Sequence, residues 1–146
     1  KGYWKMPEKT AEDFTAQGFF KTGDKAKIDA DGYISIVGRS KDMIITGGLN
    51  VYPKEIELII DDIQGVKESA VIGVYHKDFG EAVIAIVICS DTSALKEIDI
   101  IEYCKQHLAG YKIPKKVIFA NELPRNTMSK VQKNILRENH KNSFNL

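Results

Sequence analysis

The sequence predicts an α+β fold: a short mixed or antiparallel sheet with helices packed on it, preceded by a β-hairpin. Three observations predict it. After residue 40 the apolar pattern alternates between strand-like runs and helical stripes, in the order strand, helix, strand, strand, helix, strand, helix. Before residue 40, Asp31-Gly32 separates Ala26–Ile28 from Tyr33–Val37, and a glycine that accepts positive φ between two strand-like runs marks a hairpin. The polar run Ser40–Asp42 lies between two apolar strands, which places an expected boundary between residues 1–40 and residues 41–146.

Each element has a local reason. Pro7 suits the first position of a helix, Glu8, Glu12 and Asp13 suit its early turns, and Gly18 is expected to end that segment. The hairpin follows. Met43–Thr46 is a short apolar strand, and Gly47-Gly48 a turn leading into Leu49–Tyr52. Pro53 opens a helix to about Asp62, whose Ile56, Ile59, Ile60 and Ile63 fall on one face, with Gly65 closing it. Ser69–Tyr75 and Ala82–Cys89 are strands joined by a turn over His76–Gly80. Ile98, Ile101, Cys104 and Leu108 form a second helical stripe ended by Gly110, and Lys116–Ala120 is a further strand. Ser129 and Gln132 form an S-x-x-Q capping box for a last helix, and the polar tail from Asn139 is expected to fray.

Composition limits the function classes. The chain has 146 residues, 43% of them hydrophobic and 28% charged, which excludes collagen, low-complexity disorder and a membrane protein. Its 21 Lys and Arg against 20 Asp and Glu leave a net charge of +1, which argues against a dedicated nucleic-acid binder. Cys89 and Cys104 are too few for a disulfide framework and read as small buried hydrophobes of a reducing, cytoplasmic compartment. No apolar run reaches the ~18 residues of a membrane span. No apolar region follows Lys1-Gly2-Tyr3-Trp4 as in a signal peptide, and the absence of an initial Met reads as a piece of a longer or processed polypeptide.

Three segments carry chemistry-bearing residues, each with a plainer alternative. Gly18–Asp24 is either an ordinary turn or a turn that presents the Asp24 carboxylate to vicinal hydroxyls such as those of a ribose. Gly38–Asp42, continuing through Thr46–Asn50, is either a solvated boundary with a tight turn or a connector. As a connector, Arg39 offers a planar donor and Gly47-Gly48 lets a ligand pass close to the backbone. In Leu123–Lys133, Lys130 is either a solvated lysine of a basic loop or, in the first turn of a helix, part of an anion site with the helix N–H groups. His76, His107 and His140 lack metal-ligand spacing.

The set T-G-D at 22–24, G-R-S-K-D at 38–42, G-G-L-N-V-Y-P-K-E-I-E at 47–57 and P-R-N-T-M-S-K-V-Q-K at 124–133 resembles the C-terminal part of adenylate-forming acyl-CoA synthetases across essentially the whole chain. The runs at 45–57 and 123–138 look most like malonyl-CoA synthetases, and medium- and long-chain acyl-CoA synthetases share much of the pattern. The resemblance implies that Asp24 binds the ATP ribose, Arg39 supports the nucleotide, and Lys41 is the hinge. It implies that Gly47 and Gly48 border the pantetheine tunnel of coenzyme A, and that Lys130 catalyses adenylation with Mg2+-ATP. Residues 1–40 would then be the end of a large N-terminal AMP-binding domain and 41–146 the mobile C-terminal domain, inactive without that partner. The family carries Gly before its lysine, where this chain has Ser129, and a positive φ there is costly for serine. Peptide-synthetase adenylation domains and luciferase-like proteins are readings within the same superfamily. A free-standing nucleotide- or RNA-binding module using Lys112, Lys115, Lys116 and Lys130 is a reading from another class. Acylation of Lys130 by modifying enzymes, which would remove its charge, is compatible with the first.

Overall fold

The computed structural model describes residues 2–90 and 95–144. The chain divides into two compact units, Lys1–Lys41 and Asp42–Leu146.

The first unit holds α1 (Pro7–Asp13) and an antiparallel pair, β1 (Asp24–Ile28) with β2 (Ile34–Arg39). Pro7 sits at the start of α1 as expected, and the helix stops at Asp13, well before Gly18. The hairpin turn closes with Gly32 N donating to Asp29 O, while Asp29 Oδ1 accepts from Asp31 N and Tyr33 N. None of residues 2–41 is buried. Ile28 pairs directly with Ile34, and Ile36 lies two residues on, so one face of the pair carries all three. These isoleucines, with Trp4, Phe19 and Tyr33, are 68–85% exposed.

The second unit contains β3 (Ile44–Thr46), β4 (Leu49–Val51), α2 (Pro53–Asp61), β5 (Val66–His76), β6 (Gly80–Cys89), α3 (Glu97–His107), β7 (Lys116–Phe119) and α4 (Lys133–His140). The α+β expectation with a mixed sheet is met. The five strands follow β4-β3-β6-β5, with β7 added to β6. β5 pairs antiparallel along the full length of β6. The other edge of β6 is shared by β3 at Gly80 and by β7, parallel, over Ile84–Val87.

Residues 82–89 of β6 are all buried because both faces of the sheet are covered. Val83, Ala85, Val87 and Cys89 face a cluster with Ile56 and Ile60 of α2 and Ile100 and Cys104 of α3. Ile84, Ile86 and Ile88 face a second cluster with Leu123 and Leu136 of α4. Burial pushes the Cys104 thiol up to about 11.

Several expectations need correction. Leu49–Val51 is a strand, so the second unit begins strand, strand, helix. In α3 the expected Ile101, Cys104 and Leu108 pack on the first cluster, joined by Ile100, which the expected stripe lacked, whereas Ile98 is 53% exposed. The last helix starts at Lys133, not at Ser129; Gln132 occupies the cap position and makes no side-chain cap bond. The tail does not fray at Asn139: α4 runs to His140, and Phe144 packs against the second cluster and the His76 ring. Residues 145–146 lie outside the described residues.

Candidate functional site

Asp24 and Arg39 stand opposite each other at the open end of the first-unit hairpin, and Arg39 Nε donates to Asp24 Oδ1 at 2.9 Å. Pairing in register brings together two residues 15 positions apart. The pair is accessible, with side chains 28% and 50% exposed, and the second carboxylate oxygen of Asp24 is left for another donor. Arg39 thereby orients the carboxylate.

The connector follows from where the backbone is anchored. In the first unit, Ser40 N donates to Gly23 O at 2.9 Å, beside the Asp24–Arg39 pair. In the second, Asp42 Oδ1 accepts from Arg137 Nη2 of α4 at 3.1 Å. Lys41, exposed within a short 3-10 turn, is the residue between these anchors.

Gly47 and Gly48 form the two-residue turn between β3 and β4, with φ of 57° and 79°. Positive φ at both central positions is the turn geometry that matches the strand twist, and glycine adopts it without strain. Gly47 N donates to Phe79 O at 2.8 Å, tying this turn to the β5–β6 turn. A Cβ built on either glycine meets nothing within 4 Å, so the space beside them is open.

Lys130 lies on a loop, so the anion site expected from a helix N-terminus is absent at this residue. The loop doubles back through an antiparallel bridge between Arg125 and Val131. Asn126 Oδ1 accepts from Met128 N at 3.0 Å and Lys130 N at 2.9 Å, and Asn126 N donates to Lys130 O at 3.0 Å. Arg125 Nη1 donates to Ser129 O at 2.7 Å while Nη2 pairs with Glu68 of β5. Ser129 adopts φ +60°, the left-handed geometry that a glycine takes most readily. Lys130 is exposed, and among the described residues its ammonium has no hydrogen bond or ion pair.

These segments do not converge on one spot of the second unit. The Gly47-Gly48 turn sits beside Phe79, just past the last residue of β5, whereas the Lys130 loop is tied to Glu68, near its first. Eight residues separate Glu68 from His76 along the strand, about 26 Å at about 3.3 Å per residue.

Sequence reasoning passed over the residues that hold this frame. Glu57, in the E-I-E run, is buried and its Oε1 accepts from Val71 N at 2.9 Å and Lys133 Nζ at 2.6 Å. Asn126 had a local signal, since asparagine commonly bonds to the backbone two residues on; the Glu57–Lys133 pair, 76 residues apart, had none. Lys112 Nζ donates to both oxygens of Glu55 at 2.6 and 2.8 Å, which raises its pKa and takes it out of a free basic patch. No helix among the described residues is long and apolar enough to cross a membrane.

Residues 55–130 match the family described as the AMP-binding enzyme C-terminal domain. The long-chain-fatty-acid–CoA ligase FadD13 of Mycobacterium tuberculosis is 50% identical over 140 residues, 96% of this chain and 27% of that protein. ATP-bound MatB from Rhodopseudomonas palustris is 56% identical with a TM-score of 0.90, over 99% of this chain and 29% of that one. The o-succinylbenzoate CoA synthetase MenE of Bacillus subtilis, in complex with the acyl-adenylate intermediate OSB-AMP, is 33% identical with a TM-score of 0.87, over 94% of this chain and 28% of that one. The chain spans about a quarter of the length of the curated relatives it matches.

Proposed function

The chain belongs to the AMP-binding enzyme C-terminal domain family, and from that premise we propose that it completes an ATP-dependent acid:CoA ligase. Residues 1–40 supply the last strands of a large N-terminal lobe, and 41–146 are the lobe that moves. The uncovered face of Ile28, Ile34 and Ile36 supports the first part: a sheet with no buried residue is built to be covered by more of its own polypeptide.

The chemistry follows. A carboxylate oxygen of the acid attacks the α-phosphorus of ATP, the bond to pyrophosphate breaks, and acyl-AMP forms. The thiol of coenzyme A then attacks the acyl carbonyl and AMP leaves. Asp24, oriented by Arg39, accepts hydrogen bonds from the two ribose hydroxyls. Lys130 stabilises the negative charge that gathers at the reacting phosphorus. The observation that carries this reading is the Lys130 ammonium, exposed and without a partner among the described residues, on a loop fastened on both sides. The lysine loop is anchored near the first residue of β5 and the glycine turn near its last, and the strand rises about 26 Å from Glu68 to His76. One reaction centre on another lobe therefore meets them in turn, by a swing about Lys41, as gating motions do in many multistep enzymes. The open space beside Gly47 and Gly48 suits passage of the pantetheine arm of coenzyme A.

Mg2+ is proposed to arrive with the ATP phosphates; among the described residues no group of three or more His, Cys, Asp or Glu could hold a metal ion. The acid is proposed to be malonate or a related small acid, on the malonyl-CoA-synthetase-like runs at 45–57 and 123–138. A longer fatty acid is the second reading, favoured by the 50% identity to the mycobacterial ligase. A cytoplasmic setting suits free thiols at Cys89 and Cys104. Lysine-modifying enzymes would reach the exposed Lys130, and acylation there would silence adenylation. The RNA-binding reading is not favoured, since Glu55 engages Lys112.

The test is ATP–pyrophosphate exchange by the full-length protein with malonate, methylmalonate, acetate and longer acids. Lys130→Ala should lose exchange yet still form thioester from supplied acyl-AMP. Exchange at the unmodified rate in that variant would sink the assignment. Residues 1–146 alone should form no acyl-CoA.

A further inference from the structure

We propose that Asn126 and Arg125 are positioning residues for Lys130, fixing its backbone while leaving its ammonium free. The proposal rests on the assignment of Lys130 to adenylation. Both backbone polar groups of Lys130 end on Asn126: its N–H on the side-chain oxygen at 2.9 Å, its carbonyl on the Asn126 N–H at 3.0 Å. The same oxygen takes Met128 N at 3.0 Å, so one carboxamide defines the turn that delivers the lysine. Leu123 and Val131, packed on the second cluster, seat the ends of this loop on the sheet, and the stretch between them is tied to the sheet by Arg125. Its guanidinium fork spans the two, with one nitrogen on Ser129 O, adjacent to Lys130, and the other on Glu68 of β5. The line of support runs from the sheet through Glu68 and Arg125 to the residue preceding the lysine.

Such support matters because the lysine side chain is long and has no partner of its own among the described residues. A reacting group misplaced by about 1 Å can cost about 100-fold in rate, so a loop set loose should show in the chemical step. A carboxamide that touches only backbone should leave nucleotide affinity unchanged.

The experiment uses the full-length protein and measures the two half-reactions separately. Asn126→Ala should lower kcat for ATP–pyrophosphate exchange by about tenfold or more, with KM for ATP within about twofold and thioester formation from supplied acyl-AMP unchanged. Asn126→Asp keeps an oxygen that accepts from the same two N–H groups and should recover most of that loss. Arg125→Lys keeps the charge but loses the fork, and should fall between. Equal loss in both half-reactions, unchanged exchange in Asn126→Ala, or no recovery in Asn126→Asp would overturn the positioning role. Lys130→Ala, run alongside, separates the failures. If that variant keeps exchange, the assignment of Lys130 itself is wrong and the positioning role goes with it. If it loses exchange while Asn126→Ala does not, only the positioning role is wrong.

Discussion

At φ +60° the Ser129 Cβ crowds the following carbonyl, a conformation that costs an L-residue about 1–2 kcal/mol. The hydrogen bonds on either side of it maintain the strain: Ser129 N donates to Asn126 O at 2.9 Å, and Ser129 O takes Arg125 Nη1. Ser129→Gly relieves the crowding and gives back part of the gain through the entropy of the unfolded glycine. A net stabilisation of about 0.5–1 kcal/mol is expected, read as a higher urea midpoint at unchanged slope. A lower midpoint would mean that the serine hydroxyl contributes more than its backbone costs. The resemblance singles out this position through the family's glycine, whereas the helix cap expected at Ser129 does not form. S-x-x-Q satisfies a cap only where the chain turns helical at once, and here the two N–H groups that such a box would use are already taken, Ser129 N by Asn126 O and Gln132 N by Pro124 O.

The helices and strands of the second unit are held by alternation along β6 and by ion pairs between elements, of which the part-buried Glu57–Lys133 pair is the least exposed among the described residues. Glu57 of α2 covers the edge of β5 facing away from β6, accepting Val71 N, and takes Lys133 from α4. Because α2 and α4 lie on opposite faces of the sheet, the pair clasps the two layers around that edge. Glu57→Ala strips an acceptor from a buried N–H and from a largely buried ammonium, and should cost about 3 kcal/mol or more in urea unfolding. A cost below about 1 kcal/mol would show that water replaces the carboxylate. The Cys104 thiol, against Ile100 and α2, titrates near 11 when folded and near 9 when not. A raised folded value favours the fold fully below pH 9, and that contribution is lost as pH rises towards 11. Cys104→Val should flatten that part of the alkaline stability slope. At pH 8 the native thiol should resist alkylation until unfolding exposes it.

The molecule as a whole divides according to where its apolar surface goes. Asp42–Leu146 buries two clusters about one sheet and carries its own core. Residues 2–41 bury nothing, and fewer than about 40–50 residues without a core rarely fold unaided. Trypsin cleavage is expected at the exposed Lys41. The released 42–146 should keep a cooperative thermal transition, while 1–41 should show none by circular dichroism. An uncooperative 42–146 would show that its two clusters do not suffice without the preceding strands.

The sequence by itself determined the α+β class, the hairpin, the helix from Pro53, the central strand Ala82–Cys89 and the family motifs. Those features depend on residues close together in the chain, through turn chemistry and a period of two or of about 3.6. Which residues meet was decided by the tertiary structure alone. Asp24 finds Arg39 through hairpin register, Asp42 finds Arg137 through the docking of α4, and Glu57 finds Lys133 around a sheet edge. Tertiary structure also buried Ile100 rather than Ile98 in α3 and kept Lys130 off a helix. In each case a burial or hydrogen-bond demand from a distant element outweighed the local preference, and no local pattern encodes such a demand.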